Sequence, residues 1–304
     1  MNLSPELLLP LKTREQIPQE DAVAGISYWK ESFRRLRANR LALLGIALLG
    51  FLSLLAIFGP MLSSYTHYDM HLPLKNSPPS AQFIFGTDEL GRDMFTRTCC
   101  GARISLFVGI TAALLDLLIG VTVGSLAGCI GGKFDETVMR SVDIIYSIPH
   151  LLVVIMLMVI MGPGIITIII ALTFTGWIGM ARIVRGQILQ LKQLDFIRAA
   201  EALGASRTRI LLRHLIPNAM GPILATMTLT IPTAIFAEAF LSFLGLGVQA
   251  PAASWGSMAS TGIYAMRFYP WRLFVPATFI SLTMLCFNLV GDGIRDAFDP
   301  RLRT

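Results

Sequence analysis

Charge is scarce in this chain. Of its 304 residues only 14% are Asp, Glu, Lys or Arg, while 54% are hydrophobic and the mean hydropathy is +0.65. A water-soluble domain needs about a quarter of its residues charged to cover its surface, so this composition argues against a soluble enzyme or binding module. Cysteine is also scarce. Cys99, Cys100, Cys129 and Cys286 form no C-x-x-C and no Cys/His spacing suited to zinc. The adjacent pair could form only a strained vicinal disulfide, so the four read as small apolar filler, with no metal site. A phosphate-binding G-x-x-x-x-G-K-[ST] is missing as well: the nearest approach, Gly131-Gly132-Lys133-Phe134, lacks the first glycine and the hydroxyl residue. Nor is there a paired His/Asp constellation of the kind a membrane-embedded enzyme needs. No catalytic residue is assigned, and no cofactor is expected on the chain itself.

What is present is long apolar blocks. At 1.5 Å per residue, about 20 apolar residues cross a hydrocarbon core roughly 30 Å thick. Six stretches qualify, at about 41–62, 104–130, 142–161, 165–184, 222–246 and 273–290. The fold class expected is an all-α integral membrane protein of about six transmembrane helices. Gly162-Pro163-Gly164 leaves room only for a hairpin between the third and fourth, and Pro149 and Pro232 are expected to kink their helices. With the N-terminus inside, the inner segments gather Lys30, Arg34, Arg35, Arg37, Arg40, Lys133, Arg140, Arg185, Lys192, Arg198, Arg207, Arg209, Arg213, Arg295, Arg301 and Arg303. The outer ones hold only Lys75, Arg92, Arg97, Arg103, Arg267 and Arg272. That imbalance puts both termini in the cytoplasm. It also explains the formal charge of +6 without nucleic acid, which is not expected as a partner. The polar, proline-bearing stretch 1–27 does not look like a cleavable signal peptide and reads as a mobile cytoplasmic tail.

Two loops exceed what a connection needs. The outer one, about 63–102, contains Phe85-Gly-Thr-Asp-Glu-Leu-Gly-Arg-Asp93. Its Asp88, Glu89, Arg92 and Asp93 suit either contact with a partner or a self-capped turn with Thr87 or Asp88 as the cap. The loop 247–271, with Trp255, is a second candidate for an outer gate or docking surface. The inner loop, 185–218, is rich in Ala and Leu and therefore helical. On an unbroken helix Phe196, Ala199, Leu203 and Ile210 share a face next to Arg198, Arg209 and Arg213. Gly204 can divide the helix in two, and Pro217 is expected to end it. A helix lying on the inner membrane surface and a helix seated in a cytoplasmic partner fit this pattern equally.

That inner loop resembles the EAA loop of binding-protein-dependent ABC importer permeases: Glu-Ala-Ala, three residues, Gly, nine residues, Ile-x-Leu-Pro. Ala199, Ala200, Gly204 and Pro217 match, while Arg198 replaces the Glu, His214 the Ile and Ile216 the Leu. The form Arg-His-Leu-Ile-Pro-Asn is itself usual in the peptide branch, and Glu201 stands one turn after Arg198. The outer Phe85–Asp93 motif is similar to the signature of the C-type subunits of dipeptide and oligopeptide permeases. So are Ala237-Glu-Ala-Phe-Leu-Ser-Phe-Leu-Gly-Leu-Gly-Val-Gln249 with Ser254-Trp-Gly256, and the ending Gly291-Asp-Gly-Ile-Arg-Asp-Ala-Phe-Asp-Pro-Arg-Leu-Arg303. The likeness runs from about Tyr28 to the end of the chain.

The resemblance implies a type I ABC importer permease in a bacterial inner membrane, transporting di- or oligopeptides. Nickel or a nickel chelate, glutathione, a cell-wall peptide or haem are alternative substrates. It implies a second, homologous permease, two ATPase subunits carrying ATP and Mg²⁺, and an extracytoplasmic substrate-binding protein as partners. Arg198, Ala199, Ala200, Glu201, Gly204, Ala205, His214 and Pro217 would form the ATPase-coupling loop. The organisation expected is a tail (1–27), a first helix with its outer loop (28–102), a permease core (103–296) and a C-terminal tail (297–304). A self-contained secondary transporter is the alternative architecture, with broken helices and internal symmetry. Ionisable residues within spans are expensive and often functional. Glu238 suits either the substrate path or a structural pairing, Asp116 is better explained by a structural or subunit-interface pairing than by the path, and His150 is read as a hydrogen-bonded helix end.

Overall fold

The computed structural model describes residues 28–298; the tail at 1–27 and the end of the C-terminal tail, 299–304, lie outside the described residues. Between them the chain forms helices α1 (Tyr28–Ala38), α2 (Arg40–Leu62), α3 (Met94–Ile130), α4 (Gly132–Ser147), α5 (His150–Met161), α6 (Ile165–Leu191), α7 (Asp195–Ala202), α8 (Arg207–Ile210), α9 (Ile216–Phe243), α10 (Trp255–Ala265) and α11 (Trp271–Phe298). The only extended pairing among the described residues is one isolated bridge, Thr87 with Asp93. Five helices are long and apolar enough to span a bilayer, and a sixth span results if the bent pair α4–α5 is counted as one.

Local chemistry fixes the ends of these helices. The Asn39 side chain accepts the amides of Leu41 and Ala42 at 3.1 Å and opens α2. Pro60, inside α2, has no N–H for the carbonyl of Ala56. Arg103 of α3 supplies the missing donor, giving hydrogen bonds to Ala56 O at 2.6 Å and Ile57 O at 2.8 Å. Helix α3 begins ten residues before its apolar run, because Asp93 caps it through Phe95 N (3.3 Å) and Thr96 N (3.0 Å). Its first turns, too polar to register as a span, lie beneath the outer loop.

The central packing is α3 on α6. Gly120, Gly124 and Gly128 recur at four-residue spacing on the α3 face that meets α6. A Cβ at Gly124 would strike the backbone of Ala181, and one at Gly120 would come within 2.6 Å of Met180. Small residues let backbones approach closely, which is how helices gain packing where no hydrophobic force separates lipid from protein. Large apolar side chains such as Val159, Ile160 and Ile166 stand outward, as a lipid-facing or subunit-facing surface allows.

One sequence expectation needs sharpening and one needs correction. Pro149 does bend the third span, but at 79° the bend makes α4 and α5 two helices. Pro149 removes a donor and pushes Ile148 out of the helical region. The polar α4 is tied to α6 instead, by Arg185 with Asp135 at 2.5 and 2.6 Å and Arg182 with Asp143 at 2.7 Å. Pro217 does not end the inner helix. It sits in the first turn of α9, where an N–H is dispensable, just after a π-helical turn at Leu211–Leu215 that joins α8 to α9. The Asn218 amide then donates to His214 O at 2.6 Å.

Candidate functional site

The basic end of the bundle carries the segment singled out as a coupling loop. Gly204, at φ +82°, does divide it, separating α7 from α8; Ser206 caps α8 by accepting from Arg209 N at 3.3 Å. The break also rearranges the faces. Ile197 and Ile210 turn inward to a core with Val184 and Ile188 of α6, Leu215 of the π turn, and Ala219 and Ile223 of α9. Phe196, Ala199 and Leu203, placed with Ile210 on an unbroken helix, stay outside, Leu203 at 89% exposure. Arg198 and Glu201 are exposed beside them; Ala200, Ala205, His214 and Pro217 are half-buried. Arg198 reaches only the exposed Asp195, at 3.9 Å. Lys192, at the head of this segment, donates to Gly128 O (3.2 Å) and Cys129 O (2.8 Å), closing the end of α3. One helix therefore shows an apolar face with flanking charges outward while its other face is built into α6 and α9.

At the opposite end the outer motif folds on itself. Asp88 caps the turn within the motif, as the self-capped reading expects, and Asp93 caps the helix α3 that follows; Asp93 also accepts from Ser63 at 3.2 Å and Thr96 Oγ1 at 2.6 Å. Asp88 accepts from the amides of Leu90 (2.9 Å) and Arg92 (3.0 Å) and from Arg92 Nε (2.7 Å), with Arg97 Nε 3.3 Å away. Asp88, Arg92, Asp93 and Arg97 are all buried. Arg272 of α11 joins them through an ion pair with Glu89 and a 3.1 Å bond to Asn76. Trp255 is also buried: its indole donates to Thr98 O at 3.0 Å and its backbone amide to Ser105 Oγ at 3.1 Å.

Glu238 has no solvent exposure. It accepts from Ser254 Oγ at 2.6 Å, Ser242 Oγ at 2.9 Å and Ser105 Oγ at 3.4 Å, so one carboxylate joins α9, the N-terminus of α10 and α3. Ser254 and Ser257 close that N-terminus with a reciprocal capping box, whose positive end favours a carboxylate. Of the two readings of Glu238, this geometry supports the structural one. Asp116 lies buried against Gly176 of α6, and its Oδ1 has no hydrogen-bond partner among the described residues, so the pairing suggested for it is not found among them. His150 opens α5 and its Nδ1 lies 2.6 Å from Thr175 Oγ1, a hydrogen-bonded helix end. The sequence did not single out Arg97, Arg103, Arg272 or the three serines around Glu238. Only Ser254, three residues ahead of Ser257, carried a local signal.

A polytopic helical bundle bearing a partly embedded amphipathic helix at its basic end is the architecture of a transporter's membrane component. Comparison with known proteins gives the family. Residues 120–304 match the family described as binding-protein-dependent transport system inner membrane component, and residues 27–79 match the N-terminal TM domain of oligopeptide transport permease C. The oligopeptide transport system permease protein OppC of Bacillus subtilis is 58% identical over 278 residues, covering 91% of both chains. The dipeptide permease protein DppC of the same organism is 57% identical over 91% of this chain and 87% of its own length. OppC of Escherichia coli is 42% identical over 96% of this chain and 97% of its own. A chain of the MetNI methionine ABC transporter, solved in inward-facing conformations, shares the fold at a TM-score of 0.57 and 22% identity, covering 68% of this chain and 98% of that one. The chain belongs to the family of binding-protein-dependent ABC importer permeases.

Proposed function

We propose that the chain imports di- or oligopeptides across a bacterial inner membrane as half of a translocation path, the other half being a second, homologous permease. The relatives named above are peptide permeases, and that supports the substrate class. Energy comes from two ATPase subunits that hold ATP and Mg²⁺, and substrate from an extracytoplasmic binding protein. The basic end faces the cytoplasm.

The observation that carries this reading is α7. Its outward apolar surface, Phe196 together with Leu203 at its C-terminal cap, suits a groove in a cytoplasmic partner, and Ile197 on its inner face shares one core with α6 and α9. A displacement applied to α7 by closing ATPases therefore reaches two spanning helices directly. The ATPases shift the two-state equilibrium of the path only through their differential affinity for its states.

The test is purification of the tagged chain in mild detergent from its own membranes, with mass spectrometry of what stays bound. Recovery of a second permease and P-loop ATPases is expected. Reproducible recovery of the chain alone, in a detergent that preserves such complexes, would instead favour a self-contained carrier and leave α7 as a membrane-surface helix.

A further inference from the structure

The outer end holds more positive charge than it neutralises. Within contact distance of one another, three guanidinium groups, Arg92, Arg97 and Arg272, share two carboxylates, Asp88 and Glu89. Three cations against two anions leave one positive charge over, among residues that are nearly all buried. Asp93 makes no ion pair with these three: its carboxylate is turned to Ser63 and to the first turn of α3. His67, whose backbone carbonyl accepts from Arg97 at 3.1 Å, adds no anion. Burial first, and then the positive charges of Arg97 and Arg103, hold its imidazole below the ordinary value.

An unmatched buried cation is unfavourable unless something completes it, and Arg97 is visibly incomplete. It is only 7% exposed, and its Nε lies 3.3 Å from Asp88 but out of hydrogen-bonding alignment, with no other partner among the described residues. Arg92 and Arg97 line a cleft of about 380 Å³ between the outer motif and the loop that leads from α9 to α10. Ser257, Ser260 and Thr261 of α10 also line it, and Glu89 stands among the lining groups.

We propose that this cleft is a binding site for a carboxylate, held by Arg97 and Arg92, and that the terminal carboxylate of the transported peptide is its source. The choice of source rests on the peptide-import reading above; the charge of the cleft does not. A guanidinium presents paired donors that match a carboxylate. The neutral hydroxyl residues of α10 in the lining do not compete for the charge of a peptide. The site would orient a peptide at the outer mouth of the path, carboxylate first against the Arg97 wall.

The test uses the assembled transporter in nanodiscs with Ser260→Cys, a position whose hydroxyl makes no hydrogen bond in the structure. Its alkylation by a negatively charged and a positively charged methanethiosulfonate is timed, each rate divided by that for a free thiol, with the parent chain's four cysteines as background. The anionic reagent is expected to win by on the order of tenfold, the low end of what a focused field gives, and Arg97→Gln should remove most of that preference. Trialanine should slow the reaction and trialanine amide should not. Equal normalised rates, or a preference for the cation, would overturn the site, even if Arg97→Gln fails to fold. Equal protection by acid and amide would also overturn it. Anionic preference with protection by neither peptide would keep the carboxylate chemistry but overturn the source, pointing to an acidic side chain of a protein partner. ATP-driven uptake of trialanine, measured on the same preparation in vesicles, judges the import reading separately.

Discussion

Glu238 lies in a span with no water to solvate it, so its place depends on the hydroxyls that reach it. Ser105, Ser242 and Ser254 come from three different elements, and removing the carboxylate strands all three at once. Glu238→Ala is expected to lower stability by about 3 kcal/mol, the upper end for leaving buried polar groups unmatched. Glu238→Gln, which keeps one acceptor oxygen, should lose less than half of that. Thermal unfolding in detergent separates the structural role from a role in the path. If Glu238→Gln abolishes transport with an unchanged melting temperature, the carboxylate faces substrate at some stage of the cycle. Asp116 shows the opposite arrangement: Gly176 makes room for its carboxylate, and none of the described residues binds Oδ1.

At the scale of elements, a proline in one helix is answered by an arginine in the next. Pro60 leaves Ala56 O without its helical donor, and Arg103 fills the gap at 2.6 Å. Arg103→Leu should destabilise by roughly 2 kcal/mol, as expected for a hydrogen bond to a charged group. Pro60→Ala, which restores the backbone donor, should return part of the loss in the double variant though it gains little alone; a strictly additive cycle in thermal unfolding would rule the coupling out. Nothing in the sequence pairs two positions 47 residues apart, so contacts of this kind were illegible there. The spans were legible because unbroken apolar runs leave few alternatives, and α2 lies where its run predicted. Where the pattern was mixed the reading slipped. Residues 94–103 carry Thr, Arg and Cys yet are helical, because Asp93 caps them. The kink expected at Pro149 is present, but at 79° it divides Val142–Met161 into two helices. In the inner loop, Gly204 was legible as a break, but its effect on the faces was not: the projection put Ile210 beside Phe196, whereas the turn at Gly204 sends Ile210 into the core and leaves Leu203 outside.

Across the whole molecule, that separation of faces lets coupling be tested apart from folding. Leu203, which caps the C-terminus of α7, is 89% exposed, while Ile197 within that two-turn helix is 1% exposed. Leu203→Glu removes no buried contact, so stability should stay within about 0.5 kcal/mol, as for an ordinary surface change. If α7 seats in the ATPases, the buried charge this variant would bring to their groove should weaken their retention on purification. Transport should then fall at least tenfold with the melting temperature of the membrane part unchanged. Ile197→Ala should behave differently. It opens a cavity in the core shared with α6 and α9, costing about 2–5 kcal/mol, and should lower the melting temperature as well as transport. The informative quantity is the ratio of ATP hydrolysed to substrate moved. Leu203→Glu, in the complexes that still form, should raise it, because hydrolysis no longer drives α6 and α9 through a poorly seated helix. Wild-type transport and a wild-type ratio in Leu203→Glu would mean that the exposed face of α7 is not where force enters. The remaining contact of this segment with α3, through Lys192 on the carbonyls of Gly128 and Cys129, would then have to act as an anchor rather than as part of a lever.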